Sequence, residues 1–358
     1  MWMIAFDEIF IDKTKYGVKV QTSEYGEQGK HIIIDQGQTQ IAGYTDREDG
    51  LFEEVPVVIF GDHTRVIKYV DEPFFLGADG VKVLRSKDNN ANYKYLYYAL
   101  KNAKIPNTGY NRHFKWLKEV IIKYPDRERQ DEIVEILDKV SDVIQKRQDE
   151  LSRLDNLIKA RFVEMFGDCT NMISLSELCL IITDGTHQSP KFQHEGIPFI
   201  LVSNLSKNTV TYDTDKFISA ETYKELYKRT PIEIGDILLS TVGSYGPPAV
   251  VVEDRKFLFQ RHIAYLKPKS DILNSYYMHG ALLSPGCQRQ IEEKVKGIAQ
   301  KTLNLSEIRK IRIPVPSLDL QKQYADFVHQ VDKSKVAVQK ALEETQILFD
   351  SLMQKYFG

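Results

Sequence analysis

One offset constrains this chain more than any other feature. The stretch Asp126–Gly167 (DRERQDEIVEILDKVSDVIQKRQDELSRLDNLIKARFVEMFG) aligns without gaps with Leu318–Gly358 when shifted by 191 positions. Gln130 meets Gln321, Val140 meets Val331, Leu151 meets Leu342, and Phe166-Gly167 meets Phe357-Gly358. In the first copy, apolar residues recur at Ile133, Leu137, Val140, Ile144, Leu151, Leu154, Ile158 and Met165. Steps of four and three are the a/d stripe of a coiled-coil helix. Pro125 stands just before it, where a missing N–H costs least, and Gly167 follows its last apolar residue, where a helix stops. A helix of that length is about 60 Å long at 1.5 Å per residue. Its narrow apolar stripe needs a partner helix, and the second copy supplies one. Arg147 and Arg161 interrupt the first stripe, and Val338 and Leu352 fill those places in the second. The two arginines are therefore candidates for partner docking or for fixing register.

The repeat extends beyond the helices. FKWLKEVIIKYP (Phe114–Pro125) matches LSEIRKIRIPVP (Leu305–Pro316) at the same phase, each a short turn and then a strand ending in proline. At the front, IAFDEIFI (Ile4–Ile11) matches ISLSELCL (Ile173–Leu180) at an offset of 169. The second globular part is thus longer in its middle by about 20 residues. Between these ends the runs are short and β-rich: KHIIID, VPVVIFGD, TRVIKYV and GVKVLR in the first half, and IPFILVS, IEIGDILLST, PPAVVVED and IAYLKP in the second. Helices are predicted at Tyr93–Asn102, Ser275–Leu283 and Pro285–Val295. IFGDH (Ile59–His63) and EIGDI (Glu233–Ile237) read as corresponding Gly-Asp turns, with Asp62 and Asp236 serving turn chemistry.

The expected fold is α+β. Two globular domains (residues 1–125 and 168–317) are separated by two long helices (126–167 and 318–358) that form an antiparallel coiled coil with an internal pseudo-twofold repeat. A chain of 358 residues, 42% hydrophobic, can fill two such cores. No apolar run approaches the roughly 18 residues of a membrane span, and the acidic start MWMIAFDEIF does not read as a signal peptide. Cys169, Cys179 and Cys287 have no metal-ligand spacing with His187 or His194. They read as reduced thiols of a cytoplasmic protein.

Net charge is −2, so any nucleic-acid surface has to be local. Residues 60–123 carry 12 basic and 6 acidic side chains, whereas the first 59 carry 5 and 11. Two loop-rich domains held apart by a helical spacer suit the reading of two separated segments of one long ligand, with DNA the obvious choice.

This order of domain, helix ending RFVEMFGD, second domain and helix ending LMQKYFG resembles the DNA-specificity subunit of type I restriction–modification enzymes. The resemblance covers the whole chain. Its most specific parts are the internal repeat, the E-R-Q and L-Q-K-Q helix starts (Glu128–Gln130, Leu320–Gln323), and the Phe-x-x-Met-Phe-Gly ending at Phe162–Gly167. It implies that each globular part is a target-recognition domain reading one half of a bipartite double-stranded DNA site. It implies that the helices set the spacer and dock two methyltransferase subunits, that motor–nuclease subunits can join, and that this chain has no catalysis of its own. S-adenosylmethionine, ATP and Mg are then expected in the partner subunits.

Base reading uses Arg, Lys, Asn, Gln, Ser or Thr on loops, and phosphates are met by the same side chains and by backbone N–H groups. In the second domain the candidates are Thr186, His187 and Gln188 of TDGTHQ; Ser240, Thr241, Ser244 and Tyr245 of STVGSYG; Arg261, the best guanine reader, with His262; and Gln300, Lys301 and Asn304. The first-domain segment matching the last set gives Tyr110, Asn111, Arg112, His113 and Lys115, followed by His63, Thr64 and Arg65. The polar loop Gln36–Tyr44 could read bases or be an ordinary hairpin, and TDGTHQ could be a turn that merely ends a strand. Two other classes compete with this reading. One is a stand-alone metal-dependent nuclease using Asp236, Asp254 and Lys256, a short and common pattern. The other is a coiled-coil scaffold, which has no reason to hold two diverged domains. Gly246-Pro247-Pro248-Ala249 is not a methyltransferase Asn/Asp-Pro-Pro-aromatic element, and no G-x4-G-K-[ST] phosphate loop occurs.

Overall fold

The computed structural model describes residues 2–77, 79–243, 245–295 and 301–358. In the first half these form β1 (Trp2–Ala5), α1 (Phe6–Ile9), β2 (Phe10–Asp12), β3 (His31–Ile34), β4 (Gly43–Thr45), β5 (Val57–Gly61), β6 (Ile67–Val70), β7 (Phe74–Leu76), β8 (Val81–Ser86), α2 (Tyr93–Lys101), α3 (Phe114–Leu117), β9 (Ile121–Tyr124) and α4 (Arg127–Phe166). In the second half they form β10 (Met172–Ser174), α5 (Leu175–Leu178), β11 (Cys179–Asp184), β12 (Ile197–Ile200), β13 (Phe217–Ile218), α6 (Ala220–Tyr227), β14 (Ile237–Ser240), β15 (Pro248–Val250), β16 (Leu258–Phe259), β17 (Ile263–Pro268), α7 (Ser275–Leu283), α8 (Pro285–Lys294), α9 (Leu305–Ile308), β18 (Arg312–Pro314) and α10 (Leu318–Phe357). Both long helices have 40 residues. No helix among the described residues is long and apolar enough to cross a membrane.

The sheets repeat strand for strand. In the first half the orders are β2-β8-β5-β6, β4-β3-β7 and β1-β9. In the second they are β11-β17-β14-β15, β13-β12-β16 and β10-β18. Among the described residues, the pairings of these strands are antiparallel except β3 with β7 and β12 with β16, which are both parallel. The centre of each four-stranded sheet is buried on both faces, so its sequence is a continuous apolar run rather than an alternation. Val58 and Phe60 of β5 point to the α2 side, while Val57 and Ile59 point to the β3–β7 sheet. Ile237 and Leu239 of β14 are set against Leu238 in the same way. The extra length of the second half includes two helices without counterparts, α6 and α8.

The packing divides the chain within the long helices rather than at their ends. One unit holds Met1–Gln148 and Lys340–Gly358, the other Asp149–Gln339. In the first unit Ile133, Val134 and Leu137, near the start of α4, share a core with Phe349, Met353 and Tyr356, near the end of α10. In the second, Phe162 and Phe166 pack on Tyr324 at ring separations of 5.5 and 5.7 Å. Start meets end in each unit, so the helices run antiparallel, as the repeat predicts.

The same side chains fasten each helix to its sheet. The Asn92 amide donates to Gln130 Oε1 at 2.9 Å, and the Asn274 amide to Gln321 Oε1 at 2.8 Å. The Tyr95 hydroxyl donates to the Lys123 carbonyl, and that of Tyr277 to the Pro314 carbonyl, both at 2.6 Å. One exchange distinguishes the copies. Tyr98 of α2 and Ile133 of α4 share the first core, while Gly280 of α7 leaves room for Tyr324 in the second.

One expected correspondence does not hold. Gly61-Asp62 ends β5, whereas Gly235-Asp236 precedes β14, so IFGDH and EIGDI do not occupy equivalent places. Thr241 at the end of β14 is the counterpart of Asp62. The His113 amide donates to the Asp62 carbonyl at 2.8 Å, and the Leu303 amide to the Thr241 carbonyl at 2.9 Å. Gly-Asp is common turn chemistry and recurs without homology of place.

Candidate nucleic-acid interface

In each unit a late segment docks over the end of the central strand and gathers polar loops around it. In the first unit that segment is the loop 107–113. His113 is 0% exposed, its Nδ1 is 3.0 Å from the Asp62 carbonyl, and its Nε2 is 3.3 Å from the Thr108 hydroxyl. The Phe114 amide donates to Asp62 Oδ1 at 2.8 Å. His113 therefore holds the loop and is not available to a ligand, contrary to expectation. A buried imidazole needs partners for its polar atoms, and here both come from the protein.

Around this anchor the expected residues do assemble. The exposed Tyr110 ring stacks on His63 with centroids 4.8 Å apart and planes 10° apart. Thr64 is exposed and donates to the Gln36 carbonyl at 2.6 Å. Asn111, Arg112 and Lys115 are exposed on the same segment, with Lys115 Nζ 4.9 Å from the Trp116 ring. A hydrogen bond from Lys19, reinforced by its charge and by that of Arg112, holds the Asp79 carboxyl below the usual range. Arg65 is half-buried and spends Nη1 on the Ile105 carbonyl at 3.2 Å, so it braces the loop rather than reaching outward. Gln36–Tyr44 closes the antiparallel β3–β4 hairpin. Gln36 is its organiser, donating to the Asp79 carbonyl and accepting the His63 amide.

In the second unit the parallel bridge Thr186–Gln260 joins the TDGTHQ loop to the turn before β17. The Arg261 amide donates to the Thr186 carbonyl at 3.1 Å. This brings His187, Gln188 and Arg261, all exposed, to one edge, with His262 half-buried beside Arg261. Lys301 and Asn304 are exposed on the docking segment, and Lys301 Nζ lies 6.0 Å from the Tyr245 ring. Tyr245 itself is half-buried against the core. Ser240 and Thr241 are 1% and 6% exposed, so they are not outward-facing contacts. The Thr241 hydroxyl donates to the His262 carbonyl at 2.9 Å. The β14 ladder runs through Ser240, which is why that end of the loop is interior. Ser244 and Gln300 lie outside the described residues.

Arg229 joins this edge without any sequence signal. It follows α6, an element the first half lacks, and it bonds to Asp184 and lies 3.2 Å from His187 Nε2.

The nuclease pattern does not converge. Asp236 is 3% exposed, and its Oδ2 accepts the Glu233 amide at 2.8 Å and the Tyr265 hydroxyl at 2.9 Å. Burial pushes its pKa up, and Lys267 Nζ lies 3.5 Å away. Asp254 and Lys256 are exposed in the connection between β15 and β16. Among the described residues no group of His, Cys, Asp and Glu is placed to hold a metal.

The family model "Type I restriction modification DNA specificity domain" matches twice, at residues 10–153 and 170–346. The EcoR124I/EcoR124II specificity subunit of Escherichia coli is 24% identical over 339 residues, covering 89% of this chain and 83% of that protein. The EcoBI specificity subunit of Escherichia coli is 30% identical over 167 residues, which is 46% of this chain and 35% of that protein. Among solved structures, the S subunit of a type I restriction-modification system from M. genitalium superposes with a TM-score of 0.57 at 17% identity. It covers 100% of this chain and 96% of that one.

Proposed function

The chain belongs to the type I restriction modification DNA specificity family, and from that premise we propose that it is the non-catalytic, sequence-reading subunit of such a complex. Each unit reads one half of a bipartite double-stranded DNA site. The observation that carries this is the exact repetition of sheet order in two units whose rims differ in their polar residues. A shared scaffold with diverged rims suits two unlike half-sites on one duplex. In the first unit the reading groups are Arg112, Asn111 and Tyr110 on the loop that His113 braces, with Lys115 in α3 just after it. In the second they are Arg261, His187, Gln188 and Lys301.

The helices α4 and α10 set the spacer between half-sites and present docking surfaces to two methyltransferase subunits, with motor–nuclease subunits able to join. S-adenosylmethionine, ATP and Mg act in those partners. Methyl transfer and cleavage are therefore theirs, while this chain supplies binding and register.

The test uses the chain assembled with its methyltransferase subunits. Arg112→Ala is expected to weaken binding by about 1–3 kcal/mol, the worth of a bidentate base contact, with the loss confined to one base pair of one half-site. Insertion of one heptad into both α4 and α10 is expected to lengthen the preferred spacer in the methylated motif. An unchanged spacer would remove the measuring role from the helices.

A further inference from the structure

Arg229 lies on the segment that the second unit has and the first lacks. The turn that carries it is fixed. Its amide donates to the Leu226 carbonyl at 3.2 Å, closing α6. Thr230 beside it is 4% exposed and donates through its amide to the Tyr227 carbonyl at 3.0 Å. Pro231 then accepts the Tyr265 hydroxyl at 2.9 Å. The backbone thus delivers the guanidinium to the end of β11, where the TDGTHQ loop begins.

There Asp184 organises two cationic or polar groups. Its side chain is 15% exposed, while those of His187 and Arg229 are 54% and 51% exposed. One carboxylate oxygen accepts Arg229 Nη2, and the other lies 2.9 Å from His187 Nε2. His187 Nε2 also lies 3.2 Å from Arg229 Nη2. A single ring nitrogen cannot both donate to Asp184 and accept from Arg229, so the carboxylate is the common holder. Both of these Arg229 contacts run through Nη2. Held at Nη2 beside Asp184, the guanidinium presents a planar, always-charged fork, the shape that matches a base edge.

The neighbours place this group on the polar rim. Thr186, two residues after Asp184, is tied to Gln260 and Arg261 through the backbone, so Arg229, His187 and Arg261 flank one loop.

We propose that Arg229 is a specificity-determining residue of the second unit, reading a guanine edge in that unit's half-site, and that Asp184 is its positioning residue. This rests on the DNA-reading function proposed above. Guanine is the base whose O6 and N7 accept two parallel guanidinium bonds in the major groove.

The test measures binding of the chain, assembled with its methyltransferase subunits, to duplexes carrying each of the four base pairs at every position of both half-sites. Arg229→Ala is expected to lower affinity for the cognate duplex by roughly 10- to 100-fold. It should also erase the preference at one position of one half-site and leave the other half-site unchanged. Arg229→Lys, which keeps the charge beside Asp184 but loses the fork, is expected to relax the same position. Asp184→Asn is expected to blunt that preference without moving any other. Equal weakening across all duplexes with a shallower salt dependence would make Arg229 a phosphate anchor and overturn the proposal. An unchanged preference profile in Arg229→Lys and Arg229→Ala would overturn it too. Absence of any sequence preference in the parent complex would instead overturn the DNA-reading function on which it rests.

Discussion

The amide of Asn92 donates to the side-chain oxygen of Gln130 at 2.9 Å, and the other end of the same carboxamide donates to the Pro125 carbonyl at 2.9 Å. One buried side chain thereby joins the start of α2, the end of β9 and the first turn of α4. Gln321 does the same in the second unit, accepting the Asn274 amide and donating to the Pro316 carbonyl at 3.0 Å. Gln130 and Gln321 are 1% and 0% exposed, so neither set of bonds can be replaced by water.

Removing Gln130 takes this partner from the Asn92 amide and the Pro125 carbonyl, and removing Gln321 takes it from the Asn274 amide and the Pro316 and Ile272 carbonyls. Gln130→Ala and Gln321→Ala are each expected to destabilise their own unit by about 2 kcal/mol or more. Denaturant unfolding monitored by aromatic fluorescence checks this. A change below about 0.5 kcal/mol would mean that the carboxamides are not the fastening they resemble.

Gly280 is required by Tyr324. A Cβ there would lie 2.4 Å from the Tyr324 hydroxyl oxygen and 2.8 Å from the ring. Phe162, Phe166 and Tyr277 surround that ring and leave it nowhere to go. Gly280→Ala is expected to cost about 1–3 kcal/mol by overpacking. Combined with Tyr324→Ile, which restores the residue type found at Ile133, the loss should be smaller than the sum of the two single changes. Strict additivity in thermal unfolding would count against a direct clash.

Burial lowers the His279 imidazole from 6.5 to about 4. The unfolded chain then binds more protons than the folded one between those values. Stability is full above about pH 6.5 and is lost as pH falls toward 4. The loss from this group is expected to reach roughly 2–3 kcal/mol. Its position-specific part should vanish in His279→Phe. Unfolding midpoints measured from pH 7 to pH 4 check the slope, and an identical slope in the variant would contradict it.

The fold was legible because its signals are local. Helix periodicity, proline and glycine at the ends, and the repeat at a fixed offset placed α4, α10, α2 and α7 within a residue or two of the observed bounds. The candidate interface was legible only in part. The repeat makes Pro106–Lys115 and Lys294–Asn304 matching segments, since each precedes the last strand of its half with a glycine and a cluster of basic or amide residues. It could not say which of their side chains point inward. Place in the repeat and polar chemistry group His113 with Arg112 and Lys115, and neither distinguishes an inward side chain from an outward one; Gly-Asp is turn chemistry that recurs anywhere.

By itself the sequence determined a duplicated chain with two long helices, two sheet-bearing units and polar loops at matched places, because periodicity and repetition survive without knowledge of contacts. Only the tertiary structure decided which polar residues are available. His113, Ser240 and Thr241 are sealed by segments arriving from far along the chain, and Arg229 reaches the rim on the turn after a helix that has no counterpart. Exposure of a loop side chain depends on what packs over it, and that packing comes from residues tens of positions away.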